Sequence, residues 1–446
     1  MKHAVIFGAG PAGLTAALEL SNHHVSTTLL ELDPMVGGNS RTVQWEGCRV
    51  DLGGLRFSAE HGPIERIAND VFPEGAMTGA HRSRTYLNGQ YVSNPLQPVT
   101  VLAVLSVFEK FRCGLSYLAA RAAPGAPRED LAGEAANRYG QGLGEKIVSH
   151  AEKVWGMPSG LIQAGWASPP VAGSALSSFV YPCEGAGAMW DRLADKLQYN
   201  GHRLCLQSPV EKIFWEPGGI SGVVAGGRYY HGSHYMSTVP LRHLLKMLDP
   251  LPPPGVLAAA GALRYRHSIT VALIVEGRDL FPDHWVDIAD PAFQVSRIRN
   301  YTNWFGPQAA PDGPVSCLGL EYFCSREDAL WKAPDASLLA LARRELELIG
   351  LADGKEVTAG VILRVPRAHP ICDDASDRAL GVVGEFLPNL PNLQLAGRKG
   401  SHRNDDRAMG AAIEAARKIA APVGAERSTA SFGGRRAELN IVSTAR

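Results

Sequence analysis

The 446-residue sequence predicts an α/β fold in which a domain built on a parallel sheet carries an inserted mixed α+β domain. Three observations support this prediction. The chain opens with an apolar run, a glycine loop, a helical segment and a second apolar run. Its middle contains short β segments with glycine pairs at their turns. Near its end, a further strand, glycine and helix follow one another, which indicates a discontinuous first domain.

The first forty residues contain the most informative motif. They predict a buried strand at 3–7, a glycine loop at 8–13 (GAGPAG), a helix at 14–20 and a second strand at 25–30 that ends at Glu31. A glycine loop between a strand and a helix, followed by an acidic residue at the end of the next strand, is the fingerprint of dinucleotide binding. The alternative is an ordinary turn that happens to be rich in glycine.

Each residue of this motif has a physical role. Gly8 permits the tight turn, Gly10 lets the backbone approach a pyrophosphate, and Gly13 lets the helix pack closely on the strand. The helix N-terminus offers free N–H groups and a partial positive charge to phosphates. Glu31 can accept hydrogen bonds from a ribose 2′-OH, which favours FAD or NAD over NADP.

Two further glycine pairs favour FAD over NAD. They lie in residues 37–42 (GGNSRT) and 51–54 (DLGG), soon after Glu31. Paired glycines so placed indicate backbone packed closely against a large planar ligand, although turns alone are an equal alternative. Arg41 offers a planar, permanently charged donor for the pyrophosphate.

With these motifs the sequence resembles the flavin amine-oxidase superfamily, which includes monoamine oxidases, phytoene desaturases, protoporphyrinogen oxidases and UDP-galactopyranose mutases. The C-terminal region agrees, because residues 392–396 (NLQLA) predict a strand that ends at Gly397 and Arg398, before a helix at 411–419. This resembles the superfamily's C-terminal flavin motif. The segment 210–213 (VEKI) resembles the strand whose valine backbone contacts the adenine.

The resemblance implies a Rossmann-like (GR2-type) FAD-binding domain. It implies non-covalent FAD, because no cysteine lies near residues 397–410, where some amine oxidases tether the flavin. The cofactor-binding residues implied by the motifs are Gly8, Gly10, Ala12, Gly13, Glu31, Gly38, Asn39, Arg41, Gly54, Leu55, Val210, Gly397, Arg398, Asp406 and Met409.

The predicted domains are discontinuous. Residues 1–82, 181–260 and 371–423 form the FAD-binding domain, residues 83–180 and 261–370 the substrate or cap domain, and residues 424–446 a mobile tail. We expect 83–180 to be mainly helical, with helices at 98–123 and 132–153. The other predicted elements are a helix at 189–199, a β-meander at 207–235, a returning strand at 235–240, strands at 268–275, 294–301 and 316–323, and a helix at 338–349.

Composition excludes several classes of function. Lys plus Arg and Asp plus Glu both number 44, so no basic field exists for nucleic acid and no basic block stands out for anionic membranes. The seven cysteines lack metal-ligand spacing and indicate buried thiols in a reducing compartment. No signal peptide is predicted, so a cytoplasmic location is expected. The segment 99–118 contains three mid-segment charges, which argues against a spanning helix. The sequence leaves the oligomeric state open.

The middle of the chain resembles a bacterial branch near protoporphyrinogen oxidase and UDP-galactopyranose mutase, but with departures. Leu55 stands where relatives in that branch commonly carry histidine, which removes a hydrogen-bond donor. His402 and Asn404 stand where mutases carry the two tyrosines that hold a sugar-nucleotide diphosphate. Both departures weaken a mutase assignment.

The catalytic candidates are Arg56, His402 and Tyr322. By position in the motifs, Arg56 would face the flavin ring or substrate and His402 would lie near both, whereas a salt bridge and a backbone-bonded histidine are the alternatives. Tyr322 lies on a predicted strand of the substrate sheet. Arg297 and Arg299 share a strand face and could clamp an anion, or simply be solvated.

The leading hypothesis is an FAD-dependent oxidoreductase that transfers a hydride from a polar small molecule, in sugar-related or specialised metabolism, to flavin N5. No metal is expected. One alternative is a non-redox, mutase-like isomerase that uses reduced FAD as a nucleophile. The other is a flavin-binding partner protein without catalysis.

Overall fold

The computed structural model describes residues 2–53, 63–72, 77–79, 82–94, 96–122, 130–162, 179–182, 184–305, 313–401 and 408–421. The predicted tail at 424–446 lies outside these ranges. So do five predicted site residues, which are Gly54, Leu55, Arg56, His402 and Asp406.

The strands are numbered in chain order. They are β1 (His3–Phe7), β2 (Ser26–Leu30), β3 (Thr42–Trp45), β4 (Cys48–Asp51), β5 (Met77–Gly79), β6 (Ser83–Leu87), β7 (Gln90–Ser93), β8 (Phe179–Tyr181), β9 (Arg203–Cys205), β10 (Val210–Glu216), β11 (Gly219–Ala225), β12 (Arg228–Tyr230), β13 (His234–Ser237), β14 (Leu248–Asp249), β15 (Tyr265–Glu276), β16 (Trp285–Ile288), β17 (Arg297–Asn300), β18 (Val315–Cys324), β19 (Val357–Pro370) and β20 (Leu393–Leu395).

The helices follow the same numbering. They are α1 (Pro11–Asn22), α2 (Pro63–Val71), α3 (Pro98–Ala103), α4 (Val107–Ala122), α5 (Leu131–Tyr139), α6 (Gln141–Trp155), α7 (Ala186–Tyr199), α8 (Leu241–Leu244), α9 (Pro254–Ala262), α10 (Tyr301–Phe305), α11 (Ala329–Lys332), α12 (Asp335–Ile349), α13 (Asp374–Phe386), α14 (Gly397–Ser401) and α15 (Ala408–Ala420).

A five-stranded parallel sheet has the strand order β20-β13-β1-β2-β9, and its centre is β1. Alternate residues of β1 point to opposite faces. Ala4 and Ile6 belong to a core shared with α1, α7 and α15, whereas Val5 and Phe7 belong to a core shared with β10, β11 and α13. Burial on both faces explains why residues 4–7 of this strand are a continuous apolar run. The sheet confirms the predicted α/β class.

The predicted β-meander is also present. Strands β10, β11 and β12 pair antiparallel, and β14 adds to β10. The turns fall at Gly218-Gly219 and Gly226-Gly227, and all four glycines have positive φ. Residues other than glycine rarely adopt a positive φ, which is why the glycine pairs in the sequence predicted the positions of the turns.

A seven-stranded mixed sheet forms the second large layer, in the order β19-β15-β18-β17-β16-β6-β7. Helix α12 packs on one face of it, through the core that Leu338 and Ala342 share with Val271 and Leu320. This sheet draws its strands from two separate segments of the chain, 83–93 and 265–370. The short hairpin of β5 and β8 joins residues 77–79 to 179–181.

Several predicted elements need correction. Residues 83–93 form the β6–β7 hairpin rather than helix, with Asn88 and Gly89 at positive φ in its two-residue turn. An Asn-Gly pair is the strongest short signal for such a hairpin. The predicted helix at 98–123 is two helices, and that at 132–153 divides at Gly140, whose φ is 77°. The fourteen-residue strand β19 and helix α13 are not predicted at all.

Within the described ranges, no helix is both long and apolar enough to cross a membrane. The six cysteines in those ranges form no disulfide with one another, and five of them are buried.

Candidate functional site

The glycine loop at residues 8–13 is in close contact with Thr238 on one side and with the first turn of α1 on the other. Gly8 has φ 101°, and a Cβ placed on it would lie 2.3 Å from the Thr238 Oγ1. A Cβ on Gly13 would lie only 2.0 Å from the Gly8 carbonyl oxygen. Both positions therefore exclude any side chain. Helix α1 begins next to the loop with no side-chain cap at Gly10, so its first turn keeps N–H groups for an anion.

Glu31 lies at the end of β2, above this loop. Its Oε2 accepts the Ala9 N–H at 2.6 Å, and its Oε1 accepts the Asp33 N–H at 3.0 Å. The carboxylate is thus fixed in position, and each oxygen keeps a further lone pair for a ribose hydroxyl. Ser208 donates its N–H to the Glu31 carbonyl, which places the approach to Val210 and β10 beside the same strand end.

Residues 37–41 form the second arm of the site. The Gly37 N–H donates to the Ala9 carbonyl at 2.9 Å, and a Cβ on Gly38 would lie 3.4 Å from the Gly10 Cα. Two glycines therefore face each other where the arms meet. Arg41 pairs with Asp33 at 2.8 Å, while its buried Nε has no protein partner among the described residues. That Nε is a donor available to an anionic ligand.

The C-terminal motif forms the third arm. Gly397 has φ 74°, and a Cβ on it would lie 3.0 Å from the Ala12 Cβ. A Cβ on Gly400 would lie 2.6 Å from the Ser237 carbonyl, so α14 rests directly on the end of β13. Met409 is buried at the start of α15, which packs along α1. The structure thus brings Gly397 to the start of α1, with Arg398 next to it in sequence and Met409 in the core that α15 shares with α1.

The segment Asp51–Gly53 connects the parallel-sheet domain to the seven-stranded sheet. A Cβ on Gly53 would lie 2.4 Å from the Asn39 carbonyl, and the Gly53 carbonyl faces Arg299 Nη1 at 3.5 Å. Tyr301 donates its hydroxyl to the Asp51 carbonyl at 3.2 Å. The Asp51 side chain accepts the Thr42 hydroxyl at 2.6 Å. Asn39 therefore lies at the junction of the two layers.

Burial raises the pKa of the Asp51 carboxyl to about 7, against the bonds from Thr42 and Ala186 that favour the charged form. A raised pKa means that the folded state retains a proton that the unfolded chain releases near pH 4. The contribution of Asp51 to the free energy of unfolding is therefore greatest below the pKa of the unfolded chain, near pH 4. It decreases as the pH rises towards 7.

Asp51→Asn is expected to remove that pH dependence. The amide is neutral at every pH, so the melting temperature of the variant relative to wild type should rise from pH 5 to about pH 7 and level off above it. Melting curves of both proteins across this range provide the measurement. A difference that stays constant with pH would show that Asp51 ionises normally in the folded protein.

Arg297 and Arg299 do lie together, but internal carboxylates neutralise them. Arg299 Nε lies 2.7 Å from Glu321 Oε1, and Arg297 Nε lies 2.7 Å from Asp287 Oδ1. Arg297 also approaches Glu321 at 3.8 Å, so Glu321 bridges the two arginines. These carboxylates occupy the role that a substrate anion would have in the predicted clamp.

Tyr322 lies on the opposite face of β18 from Glu321, since neighbouring residues on a strand alternate. It is fully buried in the core beneath α12, where burial raises the pKa of its phenol well above the usual value. This position gives Tyr322 a packing role rather than contact with a substrate. Lys153 is also structural, because its Nζ donates to the carbonyls of Ile288, Asp290 and Val295.

Sequence reasoning missed a histidine beside the C-terminal motif. His369 on β19 lies with its Nδ1 3.2 Å from Arg398 Nη1, so Nδ1 is the acceptor and the ring hydrogen is on Nε2. Trp155 and Phe323 pack edge-on to the same imidazole. Next to it, Arg367 has φ 55°, at a bulge in β19. The only signal in the sequence is the pair of prolines, Pro366 and Pro370, that bracket this segment.

Comparison with known proteins gives a match over most of the chain. Residues 11–423 match the family described as flavin containing amine oxidoreductase. An L-amino acid oxidase of Crotalus durissus cumanensis is 42% identical over 60 residues, which are 14% of this chain and 12% of that protein. Protoporphyrinogen oxidase 2 of Arabidopsis thaliana is 28% identical over 116 residues, 25% of this chain and 23% of the relative. The chain thus aligns with less than a quarter of either relative's length.

Solved structures match along nearly the whole chain at low identity. A reduced UDP-galactopyranose mutase aligns with a TM-score of 0.77 and 19% identity, covering 94% of this chain and 95% of that one. A putrescine oxidase variant aligns with a TM-score of 0.67 and 16% identity, covering 94% and 98%. A fatty acid isomerase from P. acnes aligns with 0.67 and 15%, covering 94% and 98%. One fold therefore supports three different reactions.

Proposed function

The chain belongs to the flavin-containing amine oxidoreductase family, and from that premise we propose that it binds FAD without a covalent bond and oxidises a polar small molecule. The observation that carries the proposal is the meeting of three glycine-rich arms at the N-terminus of α1. The arms are residues 8–13, 37–41 and 397–400. The Gly37 N–H donates to the Ala9 carbonyl at 2.9 Å, and a Cβ on Gly397 would lie 3.0 Å from the Ala12 Cβ.

The residues present fit FAD on three points. Glu31 is held as an acceptor for a ribose, the uncapped start of α1 and the Arg41 Nε offer donors for a diphosphate, and Gly10 and Gly38 leave that approach free of side chains. The backbone of Val210 would meet the adenine, and Gly397, Arg398 and Met409 the opposite end of the cofactor. No cysteine follows Cys372 in the sequence, which supports non-covalent binding.

When bound, FAD would supply the acceptor for a hydride from the substrate. The chain's own residues would bind and orient that substrate. His369 replaces Tyr322 in this proposal, because its imidazole is held by Arg398 of the cofactor motif while Tyr322 is buried elsewhere. Arg56 and His402 remain proposed substrate-orienting residues, on the positions they occupy in their motifs.

Substitution of Glu31 tests the ribose end of the site. In Glu31→Gln one of the two backbone N–H groups would face an amide NH₂ instead of an oxygen, and the charge-assisted bond to ribose would be lost. Affinity for FAD is expected to fall about tenfold to a hundredfold, the usual effect of losing a hydrogen bond to a charged group. Fluorescence titration of the apoprotein with FAD measures this. Glu385→Gln on the exposed face of α13 is the matched control, and equal affinities in the two variants would exclude the role of Glu31.

The experiment that tests the function is an anaerobic visible spectrum of the purified holoprotein during titration with candidate substrates. The panel contains amines, amino acids, porphyrinogens, sugars and nucleotide sugars. Loss of the oxidised flavin band with one member is the expected result and identifies the substrate class. Bound flavin that no member reduces, with turnover of a nucleotide sugar only after chemical pre-reduction, would replace this proposal with the mutase-like isomerase. Flavin that neither is reduced nor supports turnover would favour the non-catalytic flavin-binding protein.

A further inference from the structure

Helix α4 presents a continuous row of large apolar side chains to solvent. The row, called here the α4 apolar face, comprises Val107, Phe108, Phe111, Leu115 and Leu118, which are 84%, 70%, 64%, 53% and 64% exposed. Val107 and Phe108 are adjacent, and Phe111, Leu115 and Leu118 follow at intervals of three or four residues, which places all five along one side of the helix. Single exposed apolar residues are ordinary, but a contiguous row of five marks a binding surface.

The opposite side of α4 holds the helix firmly in this orientation. Cys113 is buried against α6, where a Cβ on Gly142 would lie 3.3 Å from its Sγ. Ser116 Oγ accepts the Gly142 N–H at 3.3 Å, and a Cβ on Gly140 would lie 2.5 Å from the Tyr117 backbone nitrogen. Because Cys113, Ser116 and the Tyr117 backbone pack on α6, the apolar face on the other side of α4 points to solvent.

Basic side chains flank the α4 apolar face on both sides. Lys110, Arg112 and Arg121 are all exposed. Lys110 and Arg121 are eleven residues apart and so share one flank, while Arg112 lies on the other. The acidic residue of the helix, Glu109, lies on the side away from the α4 apolar face, where it accepts from Ser106 and pairs with Lys146 at 3.4 Å, with its side chain 33% exposed. The helix therefore offers solvent an apolar centre with positive margins, although the net charge of the whole chain is zero.

We propose that the α4 apolar face docks this protein on the surface of a bilayer that contains anionic lipids. The phenylalanine and leucine side chains enter the boundary between head groups and acyl chains, and the three basic groups contact lipid phosphates. Helix α4 has sixteen residues and carries charges, so it lies on the surface and does not span it. This proposal goes beyond the flavin chemistry and does not depend on it.

Charge complementarity favours a membrane over a second copy of the chain. In a twofold pair the same surface meets itself, so each protomer would bring three basic groups to the contact, while the one acid of α4, Glu109, lies away from the apolar face and is paired with Lys146. Like charges brought together in this way oppose association, whereas anionic phosphates neutralise them.

Co-sedimentation with vesicles tests the proposal on the full-length holoprotein. Binding is expected to phosphatidylcholine vesicles that also contain phosphatidylglycerol, to be much weaker with phosphatidylcholine alone, and to fall as salt is raised. In Phe108→Ser/Phe111→Ser/Leu115→Ser we expect affinity for the mixed vesicles to fall at least about tenfold for each apolar side chain removed. In Lys110→Ser/Arg112→Ser/Arg121→Ser we expect about a fivefold loss for each basic group.

Matched controls replace exposed residues away from α4. Leu251→Ser removes an exposed apolar side chain, and Lys246→Ser/Lys355→Ser/Arg378→Ser removes three exposed basic ones. Both should bind as wild type does, and circular dichroism of every variant verifies folding. Equal binding by the control and α4 variants would overturn the proposal, as would no binding of wild type to anionic vesicles. A wild-type dimer in sedimentation velocity that the α4 variants abolish, with no vesicle binding, would assign the face to a second copy instead.

Discussion

Gly13→Ala is expected to abolish flavin binding and to lower the melting temperature, although it adds one methyl group. The new Cβ would lie 2.0 Å from the Gly8 carbonyl oxygen and 3.4 Å from Ile6 Cγ2. The first contact involves backbone on a loop that Thr238 already closes from the other side, so α1 must move away from β1. A displacement of this kind costs about 1–3 kcal/mol, and here the upper end is expected because the contact is with backbone. It would also separate the first turn of α1 from residues 37–41 and 397–400.

Gly381→Ala is the matched comparison. Gly381 lies in α13 with nothing within 4 Å of an added Cβ and without a positive φ. There the same substitution should stabilise the protein by about 0.5–1 kcal/mol, because alanine loses less backbone entropy in a helix. Visible absorbance per protein and thermal unfolding measure both variants. If Gly13→Ala keeps a full complement of flavin, the close contact between α1 and the loop is not required for the cofactor.

Arg299→Met is expected to destabilise the protein by about 3–5 kcal/mol, the usual result of removing one member of a buried ion pair. Glu321 is only 7% exposed as a side chain and would keep only the 3.8 Å contact with Arg297. The Gly53 carbonyl would also lose its neighbour in the seven-stranded sheet. A second effect is also expected, because the segment Asp51–Gly53 packs on Asn39. Asn39 belongs to the second arm of the candidate site, residues 37–41, which is called here the cofactor arm, so affinity for flavin should fall.

Arg364→Met provides the control for Arg299→Met. Arg364 pairs with Asp335, whose side chain is 63% exposed, and such surface pairs contribute about 0–1 kcal/mol. Denaturant unfolding of the apoproteins separates the two cases, and FAD titration reports the second effect. A small loss in Arg299→Met, similar to that of Arg364→Met, would show that water reaches the Glu321 cluster. A large loss of stability with unchanged FAD affinity would show that the cluster supports the sheet but not the cofactor arm.

Helix α4 has exposed basic side chains that the net charge of the chain does not predict. Equal numbers of acidic and basic residues exclude a general attraction to anionic surfaces. The fold nevertheless turns Glu109 towards Lys146 and leaves Lys110, Arg112 and Arg121 outside. A sum over the chain contains no information on which charges share a face.

Local sequence determined the elements whose signals are short-range. Residues 4–7 of the first strand are apolar because they are buried on both faces of the sheet. The turns of the meander required glycine at positive φ, and the loop at 8–13 required glycine where a Cβ would meet Thr238 or the Gly8 carbonyl. These constraints are imposed by one or two neighbours in the backbone. They therefore predict a dinucleotide site, and with the C-terminal motif they predict the flavin family that the comparison shows, before any tertiary contact is known.

The tertiary structure decided everything that depends on residues far apart in sequence. Pairing β17 with β18 placed Glu321 against Arg299 and so converted a predicted anion clamp into an internal ion cluster. The pleat of β18 turned Tyr322 into the core, and β19 brought His369 to Arg398. A strand's alternation shows which residues share a face, but not what covers that face. The partners come from segments tens to hundreds of residues away, and for that reason the cofactor could be predicted from the sequence while the substrate side could not.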